Sequence, residues 1–190
     1  MNSKDFPSVI AARKAANAQL KFFYDMMNGP STMKTINGDL LALAEAGEFD
    51  IVVQGCNCFN TMGLGLALQI KMKYPSAYAA DLMTDAGDYN KLGTYTMAPS
   101  SMVRENSRFV IINAYTQYDF SRGKDVFEYG SFALILLKLA HNFPKARFGF
   151  PLIGCGLAGG DKHRILGMIE DFSRAISKTG GSVTVVEYAP

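Results

Sequence analysis

The chain has 190 residues, a formal net charge of +2 and 48% hydrophobic residues. This length and composition predict one α/β domain, and the scattered charge gives no basic patch for duplex nucleic acid. Since no apolar run approaches the roughly 18 residues of a membrane span and residues 1–30 do not resemble a signal peptide, we expect a cytoplasmic protein without membrane partners.

The elements predicted in chain order alternate between helices and strands. The pattern of residues 6–27 predicts an N-terminal helix, which Asn28-Gly29-Pro30 ends. The predicted strands cover residues 33–37, 50–54, 93–97, 109–113, 147–153 and 182–188, and the further helices residues 40–46, 66–74, 77–84, 125–142 and 161–178. Such alternation is typical of a three-layer α/β/α fold with a mostly parallel sheet.

The cysteines do not indicate a disulfide framework or a metal centre. The sequence has three cysteines and two histidines, and Cys56 and Cys58 are separated by a single residue. A chelating pair usually has two residues between its cysteines, and an odd number leaves one unpaired. We therefore expect reduced thiols, no metal and no cofactor.

The first candidate ligand loop, residues 55–65, joins a buried strand to a helix. Its glycines allow a ligand to approach the backbone, and the N–H groups at the start of the next helix suit an anion. Asn57 and Asn60 can both donate and accept hydrogen bonds, as ribose hydroxyls require. The alternative is an ordinary strand-to-helix turn.

The second candidate loop, Gly154 to Gly160, has four glycines in seven positions between a strand and a helix. So many glycines are costly in chain entropy, and successive backbone N–H groups can form a concave site for a diphosphate. The loop lacks the G-K-[ST] ending of a P-loop, and the first strand is not followed by G-x-G-x-x-G.

Two aspartates stand where helices begin. Asp39 follows Gly38 after the first strand, and Asp161 follows Gly160. Each suits a helix N-cap. As alternatives, Asp39 can accept a hydrogen bond from an adenine amino group, and Asp161 can orient or deprotonate an attacking water.

Three motifs in this order resemble the macrodomain family: I-N-G-D-L at residues 36–40, V-V-Q-G-C-N-C-F-N-T-M-G-L-G-L-A at residues 52–67, and P-L-I-G-C-G-L-A-G-G-D at residues 151–161. The resemblance divides the chain into an N-terminal extension, residues 1–32, and a macrodomain, residues 33–190. It implies a mixed, mostly parallel sheet and ADP-ribose as the ligand. The substrate-binding residues that we expect are Asp39, Leu40, Asn57, Gly63, Gly65, Gly154, Cys155, Gly156, Leu157 and Ala158, together with Tyr115 of an aromatic loop at residues 114–124.

The G-L-A-G-G-D form of the late loop is similar to the branch of ADP-ribose 1''-phosphate phosphatases, close to the terminal ADP-ribose glycohydrolases. This implies a hydrolase that removes a phosphate or acyl group from the distal ribose, with Asp161 and Asn60 as catalytic residues. The lysine and aspartate of the glycohydrolases are replaced by Ala114 or Tyr115 and by Ala158. The alternative is a non-catalytic module that binds ADP-ribose or ADP-ribosylated macromolecules.

Overall fold

The computed structural model describes residues 30–99, 109–120 and 126–188, together with scattered positions between residues 10 and 28. Those scattered positions are helical and exposed. The rest of the predicted N-terminal helix lies outside the described residues. None of the helices that the structure describes is long and apolar enough to cross a bilayer.

The centre of the domain is a six-stranded sheet in the order β1-β6-β5-β2-β4-β3. Neighbouring strands are parallel, except that β3 runs antiparallel to β4. The strands are β1 (Lys34–Gly38), β2 (Ile51–Asn57), β3 (Tyr95–Pro99), β4 (Val110–Gln117), β5 (Arg147–Pro151) and β6 (Ser182–Tyr188). The helices are α1 (Leu40–Glu45), α2 (Gly65–Lys73), α3 (Pro75–Leu82), α4 (Tyr129–Asn142) and α5 (Lys162–Ser177).

Helices cover both faces of the sheet, which confirms the predicted three-layer fold. Val53 of β2 packs in a buried cluster with Phe132 of α4 and Phe172 of α5. Its neighbour Val52 points to the other face, where it packs in a second cluster with Leu41 of α1. Successive side chains of a strand point to opposite faces, so a strand buried on both faces is apolar throughout.

The two central strands are longer than predicted. β2 continues to Asn57 and β4 to Gln117, whereas the sequence predicted ends at Gln54 and Asn113. The β2–β4 ladder pairs Gln54 with Asn113 and runs on beyond them. Pairing between strands that are distant in sequence therefore overrides the local tendency of glycine and polar residues to end a strand.

The fourth helix is shorter than predicted. It begins at Tyr129 instead of residue 125. Before it, Phe127 forms an isolated antiparallel bridge with Gln117. This bridge holds the chain beside the end of β4.

Candidate functional site

A cleft of about 980 Å³ lies where β2, β4 and β5 reach their carboxyl ends. Ligands of open α/β sheets bind at this edge, where the loops converge. The described residues that line it are Gln54, Gly55, Asn57, Phe59, Thr61, Gly63, Leu64, Gly65, Leu66, Ala67, Gln117, Asp119, Phe120, Pro151, Leu152, Ile153, Gly154, Gly156, Leu157 and Ala158.

One wall of the cleft is the start of helix α2. Gly65, Leu66 and Ala67 line the cleft, and Leu64 stands at the N-cap without a side-chain hydrogen bond to the helix. The first N–H groups of a helix have no acceptor within the helix, and the helix dipole adds partial positive charge there. This wall therefore offers hydrogen-bond donors to an anion.

A second wall of the cleft is the glycine-rich loop after β5. Within the described chain, the backbone N–H groups of Gly156, Leu157 and Ala158 donate to no protein acceptor, whereas the N–H of Cys155 donates to the carbonyl of Leu152 at 3.2 Å. Consecutive N–H groups in such a loop form a concave anion site. Both walls therefore present donors to the same space.

Gly154 fixes the path of this loop. Its φ is +73°, and a Cβ there would lie 2.2 Å from the nearest ring atom of Phe127. Only glycine adopts this conformation readily, and only glycine leaves room for the ring. The N–H of Gly160 donates to the Gly154 carbonyl at 2.9 Å, which closes the loop.

The Asn57 side chain, which was predicted to bind ribose hydroxyls, forms hydrogen bonds within its own loop. Its Nδ2 donates to the carbonyl of Thr61 at 3.0 Å and to Thr61 Oγ1 at 2.7 Å. Its Oδ1 accepts from the N–H of Phe59 at 2.9 Å. Asn57 lines the cleft, but these bonds occupy much of its amide.

Asn60, predicted as catalytic, does not belong to the described lining of the cleft. It is buried, with a left-handed φ of 59°. Its Nδ2 donates to the carbonyl of Thr84 at 2.8 Å, and its Oδ1 accepts from Lys91 Nζ. The side chain therefore ties the loop to the protein interior.

Lys91 forms a buried charged network behind this loop. Its Nζ donates to the Cys58 carbonyl at 3.0 Å and lies 3.8 Å from Asp81 Oδ1. Tyr115 also contacts this aspartate, since its hydroxyl donates to Asp81 Oδ1 at 2.8 Å. Burial raises the pKa values of the Asp81 carboxyl and the Tyr115 hydroxyl.

Tyr115 was predicted to lie in an aromatic loop and bind substrate. It is instead a residue of β4, 1% exposed, and it is not among the described lining residues. Since its hydroxyl is directed to Asp81, its structural role is in the network behind the first loop.

The two capping aspartates lie outside the described lining. Asp39 Oδ1 accepts from the N–H groups of Leu41 and Ala42 at 2.8 and 3.0 Å, at the start of α1. Asp161 Oδ1 accepts from the N–H of Arg164 at 2.7 Å, at the start of α5. Both carboxylates are thus helix N-caps, each worth about 1 kcal/mol.

Of the remaining residues that were predicted to bind substrate, some line the cleft and others do not. Gly63, Gly65, Gly154, Gly156, Leu157 and Ala158 line the cleft. Leu40 is a buried core residue of α1, and Cys155 packs against the core on the other face. Neither belongs to the described lining of the cleft.

The thiols are protonated near neutral pH. All three cysteines are free. Burial raises the pKa of Cys56 well above its ordinary value and also raises the pKa values of Cys58 and Cys155. The described residues also contain no group of three or more side chains suited to a metal ion.

Sequence reasoning missed Gln117 and Asp119, which line the cleft at the end of β4 and just after it. The predicted strand ended at Asn113, so these residues fell in the middle of a long loop. Polar residues at the carboxyl end of a strand are the signal that identifies them, and this signal can be read only once the strand is known to end at Gln117.

A protein of bacteriophage T4 is similar in sequence over most of the chain. This relative, "Uncharacterized 17.5 kDa protein in tk-vs intergenic region", is 31% identical over 163 residues, which are 83% of this chain and 97% of the phage protein. The chain belongs to the family of this phage protein. No family model matches the chain.

Solved structures identify the fold. A Bacteroides thetaiotaomicron protein of unknown function has a TM-score of 0.68 and 21% identity, over 84% of this chain and 99% of its own. The macrodomain of Thermus aquaticus DarG has a TM-score of 0.61 and 19% identity, over 85% of this chain and 100% of its own. The Trypanosoma brucei macrodomain, solved in complex with ADP-ribose, has a TM-score of 0.59 and 10% identity, over 82% of this chain and 63% of its own. The fold is therefore that of a macrodomain.

The network behind the first loop predicts a large loss of stability for Lys91→Met. The substitution leaves the Asp81 carboxyl buried without its cation, and breaking such a pair costs about 3 kcal/mol of unfolding free energy or more. Urea denaturation measures the loss. Lys162→Met is the control, because Lys162 is half-exposed in its ion pair with Glu187, and such surface pairs contribute about 1 kcal/mol or less. Equal losses in the two variants would contradict a structural role for Lys91.

Proposed function

We propose that the cleft binds ADP-ribose and that the protein hydrolyses a phosphate or acyl group from the distal ribose of an ADP-ribose derivative. The observation that carries the proposal is a pair of walls whose backbone N–H groups have no acceptor among the described residues, one at Gly156 to Ala158 and one at the start of α2. The described lining contains no lysine or arginine. A diphosphate is the part of ADP-ribose that such donors suit.

The order of strands supports one orientation of the ligand. Asp39 follows β1, at the far end of the sheet from β3. Beside it, Gly38 of β1 pairs with Tyr188 of β6, a residue that is 70% exposed. An aromatic face and a carboxylate are the groups that stack on an adenine and accept from its amino group. With adenine at this end, the distal ribose extends toward β4.

The known structures support the same ligand. The Trypanosoma brucei macrodomain, which shares this fold, was solved in complex with ADP-ribose. The three motifs at residues 36–40, 52–67 and 151–161 resemble those with which macrodomains bind this nucleotide. The fold, the motifs and the backbone donors thus support the same proposal.

A module that binds ADP-ribose without hydrolysing it is the second candidate. Two positions favour it: the lysine of the terminal glycohydrolases is replaced by Ala114 or Tyr115, both buried, and their aspartate by Ala158, which lines the cleft. The absence of that lysine and that aspartate argues against a lysine-dependent covalent route.

Calorimetry and an activity assay test the proposal together. We expect the protein to bind ADP-ribose more tightly than AMP, because AMP lacks the diphosphate and the distal ribose. We also expect hydrolysis of ADP-ribose 1''-phosphate or of an O-acyl-ADP-ribose above a buffer control. Binding without hydrolysis of either ester would support the second candidate, and no binding of ADP-ribose would contradict both.

Gly156→Ala is expected to weaken ADP-ribose binding without loss of stability. A Cβ at Gly156 meets no protein atom within 4 Å, and its backbone is outside the left-handed region. The methyl group instead enters open space at the cleft that Gly156 lines. Since a hydrogen bond to a charged group contributes about 1.5 kcal/mol or more, loss of one such bond lowers the affinity about tenfold.

The matched control is Gly167→Ala in helix α5. A Cβ there also meets no atom within 4 Å, and Gly167 lies outside the described lining of the cleft. Calorimetry on both variants should find weaker binding only in Gly156→Ala. Unchanged affinity of Gly156→Ala for ADP-ribose would show that the N–H groups of this loop do not bind the ligand.

A further inference from the structure

The first turn of helix α2 lies in the cleft and has no side-chain cap. Its N-cap residue is Leu64, and the N–H groups of Gly65, Leu66 and Ala67 donate to no acceptor in the described part of the chain. Serine, aspartate and asparagine are the usual residues at an N-cap, because their side chains accept from such donors. Asp39 does so at the start of α1, where it accepts from two N–H groups. A leucine at this position leaves the donors of α2 to another acceptor.

The backbone at the start of α2 brings these donors together. Leu64 is extended, with a φ of −146°, and Gly65 has a left-handed φ of 57° before the right-handed helix. A left-handed residue followed by a right-handed one turns successive N–H groups into a concave anion site. Glycine suits this position, because a side chain at that φ is strained. The first turn of α2 thus has the backbone geometry of an anion site.

A buried acceptor in the same cleft also indicates a ligand. Gln54 lines the cleft and is 1% exposed, and its Oε1 has no hydrogen-bond partner among the described residues. Its Nε2 donates to Asn113 Oδ1 at 2.7 Å, while Asn113 Nδ2 donates to the carbonyl of Ala77 at 2.8 Å. Since a carbonyl only accepts, this chain of bonds fixes both amides and leaves Gln54 Oε1 as an acceptor. A ligand hydroxyl satisfies it, directly or through one water.

The leucine at the N-cap is itself placed to contact a bound anion. Leu64 lines the cleft and is 48% exposed. Leu157 occupies the corresponding place in the glycine-rich loop, where it also lines the cleft and is 60% exposed. Hydrogen bonds to a charged group are stronger where apolar side chains exclude water. An apolar residue at position 64 therefore leaves the donors free and shields their bonds to a ligand.

We propose that Leu64 reserves the first turn of α2 for a phosphate of the ligand, an inference that rests on the proposed function. The phosphate oxygens accept from the N–H groups of Gly65, Leu66 and Ala67 and take the place of the missing cap. A polar side chain at position 64 competes for these donors, because serine and asparagine side chains hydrogen-bond the backbone two residues on. Leu64 is thus a specificity-determining residue, and the helix lacks the stability of a cap in order to bind an anion.

The test compares Leu64→Ser with Leu64→Ala, two variants of similar size of which only the first can cap the helix. The melting temperature of Leu64→Ser should be higher by about 3 °C, which is the shift expected from one N-cap. Its affinity for ADP-ribose, measured by calorimetry, should be lower by about fivefold, because the cap must break before the phosphate binds. A residue with only a structural role does not move stability and affinity in opposite directions.

Three further variants complete the comparison. Leu64→Asn is a second capping variant, close to leucine in size, and should behave as Leu64→Ser does. Leu64→Met keeps an apolar side chain and should bind ADP-ribose as the unchanged protein does. Glu128→Asp is the control, because Glu128 is the N-cap residue of α4, makes no side-chain hydrogen bond to that helix and lies outside the described lining of the cleft. A cap added there should leave the affinity unchanged.

Two results would overturn the inference while ADP-ribose binding itself survives. One is equal affinity of Leu64→Ala, Leu64→Ser and Leu64→Asn for ADP-ribose. The other is an equal melting temperature of these three variants, since a polar side chain at position 64 would then not reach the donors. Failure of the unchanged protein to bind ADP-ribose overturns the proposed function instead.

Discussion

Backbone N–H groups without an acceptor in the described part of the protein decide what this cleft can hold. They lie on both walls, in the loop at Gly156 to Ala158 and in the first turn of helix α2. A polar group that lacks a partner costs free energy unless water or a ligand satisfies it. Since the donors are part of the backbone, their direction is set by the fold rather than by a side-chain rotamer. An anion with several oxygens suits this arrangement.

A second layer of polar contacts keeps the first loop in place. Lys91, Asp81, Tyr115 and Asn60 hydrogen-bond or pair with one another beneath it, away from the described cleft lining. Buried charge of this kind costs desolvation energy, and its directional contacts hold one loop conformation. Binding by backbone donors needs such support, because a shift of the loop moves every donor at once.

Much of the fold follows from the sequence, since short strand patterns alternate with helical patterns along the chain. The ends of the two central strands, in contrast, could not be predicted from the sequence. β2 and β4 continue past Gln54 and Asn113 because their ladder pairs on beyond them, and Gln54 Nε2 also donates to Asn113 Oδ1 at 2.7 Å. That partner is 59 positions away in the chain, so no local pattern contains it.

The candidate site was predictable in its backbone and less so in its side chains. The glycine-rich loop at residues 154–160 could be recognised as a candidate ligand loop from the sequence alone, because a functional role explains so many glycines. Asn60 and Tyr115 have the chemistry of ligand-binding residues, but interior partners occupy them. Asp119 was overlooked because its neighbours in sequence did not reveal where β4 ends. Residue type indicates what a side chain can bind, and only the fold decides which partner is near.

An amide NMR titration with ADP-ribose tests the central claim most directly. Hydrogen bonds to phosphate oxygens should shift the backbone N–H signals of Gly156, Leu157 and Ala158, and those of Gly65 and Leu66, strongly downfield. The shifts should saturate together at one ligand concentration. Saturable binding that leaves these signals in place while others move would contradict the account, because the diphosphate would then be held elsewhere.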